Sequence, residues 1–183
     1  MSKASLILSA VLMAVLAVSC EKKQLDTTYD KQEGYILAIS ESLGNAADSA
    51  TIDHLKGTVR VTVAHGQGET LGEDGAVAFY YAGYYISGNS LSSSNVFATN
   101  NESFANSINW SLSDSTSFDI MTVNLAQDDI VEGLRNGLVG VKGGDECYVL
   151  FDGRYGFGKR KVANVPGRSA LAYHLWIRSI SNN

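Results

Sequence analysis

The chain is poor in the residues on which much enzyme chemistry depends. It has two cysteines and three histidines in 183 residues. Two thiols cannot make a disulfide framework, and Cys20 lies directly behind an apolar leader rather than within a fold. The other thiol, Cys147, falls on the buried side of a predicted strand, where a lone cysteine behaves as a small hydrophobe. His54, His65 and His174 lie far apart, without the spacing of metal ligands, and read as exposed or edge residues. There is no Gly-x-Ser-x-Gly elbow and no Walker loop; the glycines between Gly153 and Lys159 have the wrong spacing, and no helix follows Gly66-Gln67-Gly68. Basic charge is short too. Without Lys3 of the leader, 13 basic residues face 19 acidic ones, a net of −6, which leaves no electrostatic footprint for a nucleic acid. No metal and no cofactor is expected.

What is present starts with that leader. Lys3 precedes an apolar run from Leu6 to Val18, too short for a comfortable membrane span and laid out as a secretory signal. Leu16-Ala17-Val18-Ser19-Cys20 resembles a bacterial lipobox, which implies export and a lipid on Cys20. The expected organisation is a signal peptide over 1–19, a lipidated tether and helix over 20–57, and a folded domain over 58–183. A content of 45% hydrophobic and 18% charged residues suits one domain with a real core.

Periodicity then orders the chain. A helix fits Thr28 to Leu43, with Thr28 as cap, Tyr29, Ile36, Ile39 and Leu43 as its stripe, and Gly44 as its stop. Asn45 to Lys56 reads as loop. Val59, Val61 and Val63 alternate with Arg60 and Thr62, and Val77, Phe79 and Tyr81 with Ala78 and Tyr80, the period of strands. From Ser93 to Ile120 a long insertion has 15 Ser, Thr and Asn among 28 residues, a loop composition. Yet Phe97, Phe104, Ile108, Trp110, Leu112 and Phe118 punctuate it, too many large apolar groups for a solvated linker, so part of it should fold back over the sheet or a pocket rim. Met121, Val123 and Leu125 resume a strand.

The organising stretch runs from Gln127 to Gly158. Asp128 and Asp129 suit a helix N-terminus, and Ile130, Val131, Leu134 and Leu138 make one apolar stripe. Gly143-Gly144 turns the chain into a strand in which Cys147, Val149 and Phe151 alternate with Glu146, Tyr148 and Leu150. A glycine-studded loop follows, with Lys159-Arg160-Lys161 as a solvated tip. In the last strand Leu171, Tyr173, Leu175 and Ile177 face the core.

This run resembles the central pattern of the FKBP-type peptidyl-prolyl isomerases. It stands here as Ile130-Val131-Glu132-Gly133-Leu134-Arg135-Asn136-Gly137-Leu138, followed by Val141, Gly144 and Asp145, with Phe157-Gly158 in the loop. Phe79-Tyr80-Tyr81-Ala82-Gly83, the stretch Tyr84 to Ser94, and Val165-Pro166 resemble further family segments, so the likeness covers about Val59 to Ile180. The implied fold is α+β: a twisted antiparallel sheet wrapped around one short helix, with an extra N-terminal helix and the insertion at 93–120. The resemblance implies a pocket lined by Tyr81, Leu91, Met121, Ile130, Val131, Leu134, Phe157, Val165 and Tyr173, with Ser92 at the family's aspartate. Leu134 stands for the tryptophan floor and Phe157 for a tyrosine. The implied activity is isomerisation of X–Pro bonds, whose barrier of ~18–20 kcal/mol an apolar pocket can lower by favouring the twisted imide. The expected partners are proline-containing peptides or unfolded envelope proteins, and the membrane through the lipid. The expected place is the bacterial cell envelope, on the periplasmic or surface face of the outer membrane. The alternative is a catalytically silent module of the same fold that binds peptide or protein.

Overall fold

The computed structural model describes residues 3–111 and 117–182, with side-chain surroundings from Lys23 onward. Leu112 and the Cys20 side chain therefore lie outside the described residues. Two compact units divide the chain, residues 1–31 and 32–183. A single helix, α1 (Lys3–Asn45), forms the first and continues into the second. Thr28 does not start it: its hydroxyl bonds back to the Gln24 carbonyl at 2.9 Å, as a threonine inside a helix does.

The rest of the second unit is a seven-stranded antiparallel sheet. Its strands are β1 (Thr51–Leu55), β2 (Thr58–Ala64), β3 (Ala76–Ile86), β4 (Val96–Thr99), β5 (Met121–Asn124), β6 (Glu146–Phe151) and β7 (Ala170–Ser181). Their order is β1-β2-β6-β7-β3-β4, with β5 also beside β3. Two short helices complete it, α2 (Glu102–Ser107) and α3 (Glu132–Leu138). The α+β reading from sequence holds. The stretch read as loop before Lys56 instead contains β1, which closes a hairpin on β2 from Thr51↔Thr62 to Leu55↔Thr58. Its apolar residues are too few to alternate visibly, and pairing supplies what the pattern lacks.

Both faces of the sheet are covered. On the front, α3 packs with Val77, Phe79, Val149, Phe151, Leu171 and Leu175 in one core. On the back, Ile36 and Ile39 of α1 join Val61, Ala82, Leu150 and Ala172 in a second. Hence Val59, Val61 and Val63 belong to the back, while Arg60 reaches the front. There its guanidinium donates to the carbonyls of Gly137 (3.2 Å) and Val139 (2.7 Å) at the end of α3 and pairs with Asp53 at 3.0 Å. A cation so placed satisfies carbonyls that the helix leaves open.

The insertion does fold back. A 3-10 turn (Ser93–Asn95), β4 and α2 lie within it. Phe97 packs against the front core, and Phe104, Ile108 and Trp110 against the back one. Asn101 caps α2 by accepting from the Phe104 N–H at 3.0 Å.

Candidate functional site

Helix α3 lies close on β6 because two glycines one turn apart face that strand. A Cβ on Gly133 would stand 2.2 Å from Phe151 Cγ, and one on Gly137 would stand 2.2 Å from Val149 Cγ1. The helix begins at Glu132, after Val131, and has no side-chain cap. The two aspartates expected to cap it do other things. Asp128 closes a turn by accepting from the Asn124 N–H at 2.7 Å, and Asp129 stands at the rim of a cavity.

That cavity, about 280 Å³, lies where α3, the front face and the glycine loop meet. Leu134, 4% exposed, is in its wall, and Ile130, Val131, Met121 and Tyr81 stand around it. Phe97, Phe157 and Tyr173 form an aromatic corner: the Phe97 ring meets both others edge-on, with centroids 5.9 Å apart in each case. Tyr81 and Tyr173 are 6.1 Å apart. Such edge-to-face contacts fix ring planes beyond what burial alone does. Gly83 makes room for Phe97, since a Cβ there would stand 2.6 Å from its Cζ.

Strand β3 is tied down beside this wall. Asn100 accepts from the Tyr81 N–H at 2.6 Å and donates to the Asp119 carbonyl at 2.9 Å. Thr99 donates to the Tyr81 carbonyl at 2.6 Å. The same carbonyl accepts from the Asn100 N–H at 3.2 Å, so side chains and backbone together satisfy the main-chain groups of the tyrosine. Burial raises the Tyr81 phenol above its ordinary pKa. It raises that of Tyr173 too, with Tyr81 adding to the effect, so both are neutral hydrogen-bonding groups near neutral pH.

Seven of the residues transferred from the family pattern meet here: Tyr81, Met121, Ile130, Val131, Leu134, Phe157 and Tyr173. Leu91 and Ser92 do not. Leu91 packs with Ile39, Leu43 and Tyr84 on the back of the sheet, and Ser92 caps the 3-10 turn by accepting from the Ser94 N–H. Val165 is buried in the front core without lining the cavity. The aromatic wall comes from Phe97, further along the chain. The β3–β4 loop (Ser87–Asn95) carries Leu91 and Ser92 away from the cavity before β4 brings Phe97 to it. The usable signal was Phe97 itself, the first phenylalanine after Gly83. Tyr155-Gly156 is a second aromatic–glycine pair in the loop, but Tyr155 lines a different hollow of about 390 Å³ between α1, β1 and β2. There Arg154 is tied to Asp152 and Glu33.

His174 differs from its expected exposure. It is 7% exposed, stacks on Tyr148 with centroids 4.0 Å apart, and its Nε2 lies 2.7 Å from Glu146 Oε1. Burial lowers its pKa against the pull of Glu146, while the bond to His174 lowers that of Glu146. Both directions fit a neutral imidazole donating Nε2–H to a carboxylate. Among the described residues no group of side chains could hold a metal ion.

Comparison with known proteins bears on this arrangement. No curated protein matches the sequence. The crystal structure of the three FKBP domains of wheat FKBP73 superposes with a TM-score of 0.58 at 16% identity, over 73% of this chain and 52% of that one. The present chain thus spans about half the length of the wheat protein. FkpA from Escherichia coli gives 0.56 at 16% identity, over 99% of this chain and 74% of that one. A peptidyl-prolyl cis-trans isomerase from Pseudomonas syringae pv. tomato gives 0.53 at 13%, over 82% and 96%. At such identities these likenesses speak for the fold. A sequence model of the family described as FKBP-type peptidyl-prolyl cis-trans isomerase matches residues 68–177. That span takes in β3, the insertion, α3, the glycine loop and most of β7, and the chain belongs to this family.

Proposed function

We propose that the chain is a peptidyl-prolyl cis-trans isomerase of the cell envelope, held to a membrane by lipid on Cys20, and that it turns X–Pro bonds in the cavity bounded by α3, β3, β4 and the loop of Phe157. The observation that carries this reading is the convergence of Tyr81, Phe97, Ile130, Val131, Leu134, Phe157 and Tyr173 on one apolar hollow of about 280 Å³. A planar X–Pro amide is better solvated than the twisted imide, so a wall with few polar groups favours the twisted form. Leu134 and Val131 offer the prolyl ring an apolar surface, and the Tyr81 and Tyr173 rings confine it. No covalent step is required.

One pair of observations favours a second reading, a silent peptide-binding module. Leu134 gives the wall a small aliphatic residue, and Phe157 brings no hydroxyl to it. A protease-free isomerisation assay on X–Pro peptides separates the two. A rate above background that falls to background in a folded Val131→Asp variant supports the isomerase. Peptide binding without any rate enhancement makes it a binding module. The anchor is tested separately: metabolic lipid labelling should mark the protein and be lost in Cys20→Ala, which should leave the membrane fraction. An unlabelled parent protein would refute it.

A further inference from the structure

A further hollow, of about 340 Å³, opens on the back of the sheet, between the end of α1 and the loop from β3 to β4. Ile39, Leu43 and Leu91 give it aliphatic walls. Tyr84, 7% exposed, and the half-buried Tyr148 line it as well, and the exposed Ser42 and Ser90 stand at its mouth. Both tyrosine rings are held in place: Phe104 meets Tyr84 edge-on with centroids 6.1 Å apart, and His174 covers one face of Tyr148 at 4.0 Å. Neither phenol hydroxyl has a hydrogen-bond partner among the described residues. No buried side-chain oxygen there is left without a partner, so these two hydroxyls are not sealed off and open into the hollow they line. Burial raises the pKa of both phenols, which keeps them neutral donors and acceptors. No lining residue carries a charge.

We propose that this hollow is a binding site for an uncharged sugar. A charged guest would lose water and meet no counter-charge, which is costly. A purely apolar guest would take water from the two phenol hydroxyls and return no hydrogen bond. A sugar ring avoids both losses. Its C–H face suits the aliphatic walls, and its hydroxyls can exchange hydrogen bonds with the phenols and serines, each of which both donates and accepts. The volume lies near the small end of ligand pockets, which span about 300–1,000 Å³, so the fit is to roughly one or two rings. Fixed tyrosine rings keep the ordering cost of binding low. The site lies across the sheet from the cavity beside α3, so it stands whether or not the chain isomerises X–Pro bonds.

The test titrates the full chain with glucose, galactose, mannose and N-acetylglucosamine at millimolar concentrations. Glucuronate, glucosamine and cyclohexanol serve as anionic, cationic and hydroxyl-poor rings. Binding is followed by methyl NMR. At least one neutral sugar should shift the methyl signals of Ile39, Leu43 and Leu91 and leave those of Ile130 and Leu134 in place. The three control rings should bind more weakly than that sugar. Tyr84→Phe and Tyr148→Phe each remove one hydroxyl and keep the ring, so each should weaken the sugar by about two- to ten-fold with the thermal melt unchanged. Ser42→Trp, at an exposed position of the mouth, should block binding without touching the core. The proposal is overturned if no neutral sugar binds, or if the shifts fall on Ile130 and Leu134 instead. Binding of cyclohexanol as tight as that of any sugar, or sugar binding that survives both Tyr84→Phe and Ser42→Trp, would overturn it too.

Discussion

Phe157 shows how much one atom can matter at this site. Its ring completes the aromatic corner with Phe97, yet it brings no hydroxyl to a bound carbonyl. A hydrogen bond gained there is worth about 0.5–1.5 kcal/mol, so Phe157→Tyr should raise kcat/KM by roughly two- to ten-fold. An unchanged rate in a folded variant would show that the ring edge faces away from substrate. His174 makes a prediction of another kind. Its pKa is lowered in the folded state by burial, so the unfolded chain binds the extra proton more readily. Stability should therefore fall as pH drops below about 6.5, the ordinary histidine value. Glu146, lowered by its bond to His174, adds a loss in the same direction at more acid pH. Denaturant unfolding between pH 5 and 7.5 should show this slope, and His174→Phe should flatten its upper part; identical slopes would refute the assignment. Sequence alone could not find this histidine, because its burial depends on Tyr148 and Trp176 from two strands.

At the scale of the element, α3 is held by contact rather than by its own propensity. Seven residues with two glycines make a poor isolated helix. Gly133 and Gly137 instead let its backbone rest on Phe151 and Val149. Gly137→Ala should improve propensity by about 1 kcal/mol and still destabilise the protein, because overpacking costs typically 1–3 kcal/mol. A chemical melt showing equal or greater stability would mean that α3 can back away. The order of Ile130, Val131, Leu134 and Leu138 was legible in the sequence because these residues are near neighbours on one surface. The starting point of the helix was not. Asp128 and Asp129 have the chemistry of caps, but the chain uses them in a turn and at the cavity rim, and Glu132 begins the helix.

Across the whole molecule, the two-faced sheet is the main departure from what alternation suggests. Leu150 alternates with Val149 and Phe151, yet all three are at most 1% exposed. Period-two patterning marks which side a residue takes and cannot report that another element covers the second side. The back core depends on α1, and Ile39, 2% exposed, sits in it. Ile39→Ala should cost about 2–5 kcal/mol by denaturant unfolding, whereas Leu37→Ala, at a residue 51% exposed, should cost far less. Equal losses would deny the helix its role. The insertion should show amide protection at Ala105 and Trp110, whose N–H groups donate within it, and uniformly fast exchange there would contradict the packing.

The clamp that Thr99 and Asn100 place on β3 has an engineering consequence. Phe97 is positioned from its C-terminal side, while Asn95 donates to Ser87 at 2.8 Å and closes the base of the preceding loop. Between Ser87 and Asn95 the chain is a handle rather than a hinge. Gly88 has open space around it and Asn89 is exposed, so an epitope or a fluorescent reporter spliced between them should ride outside the domain without entering its working face.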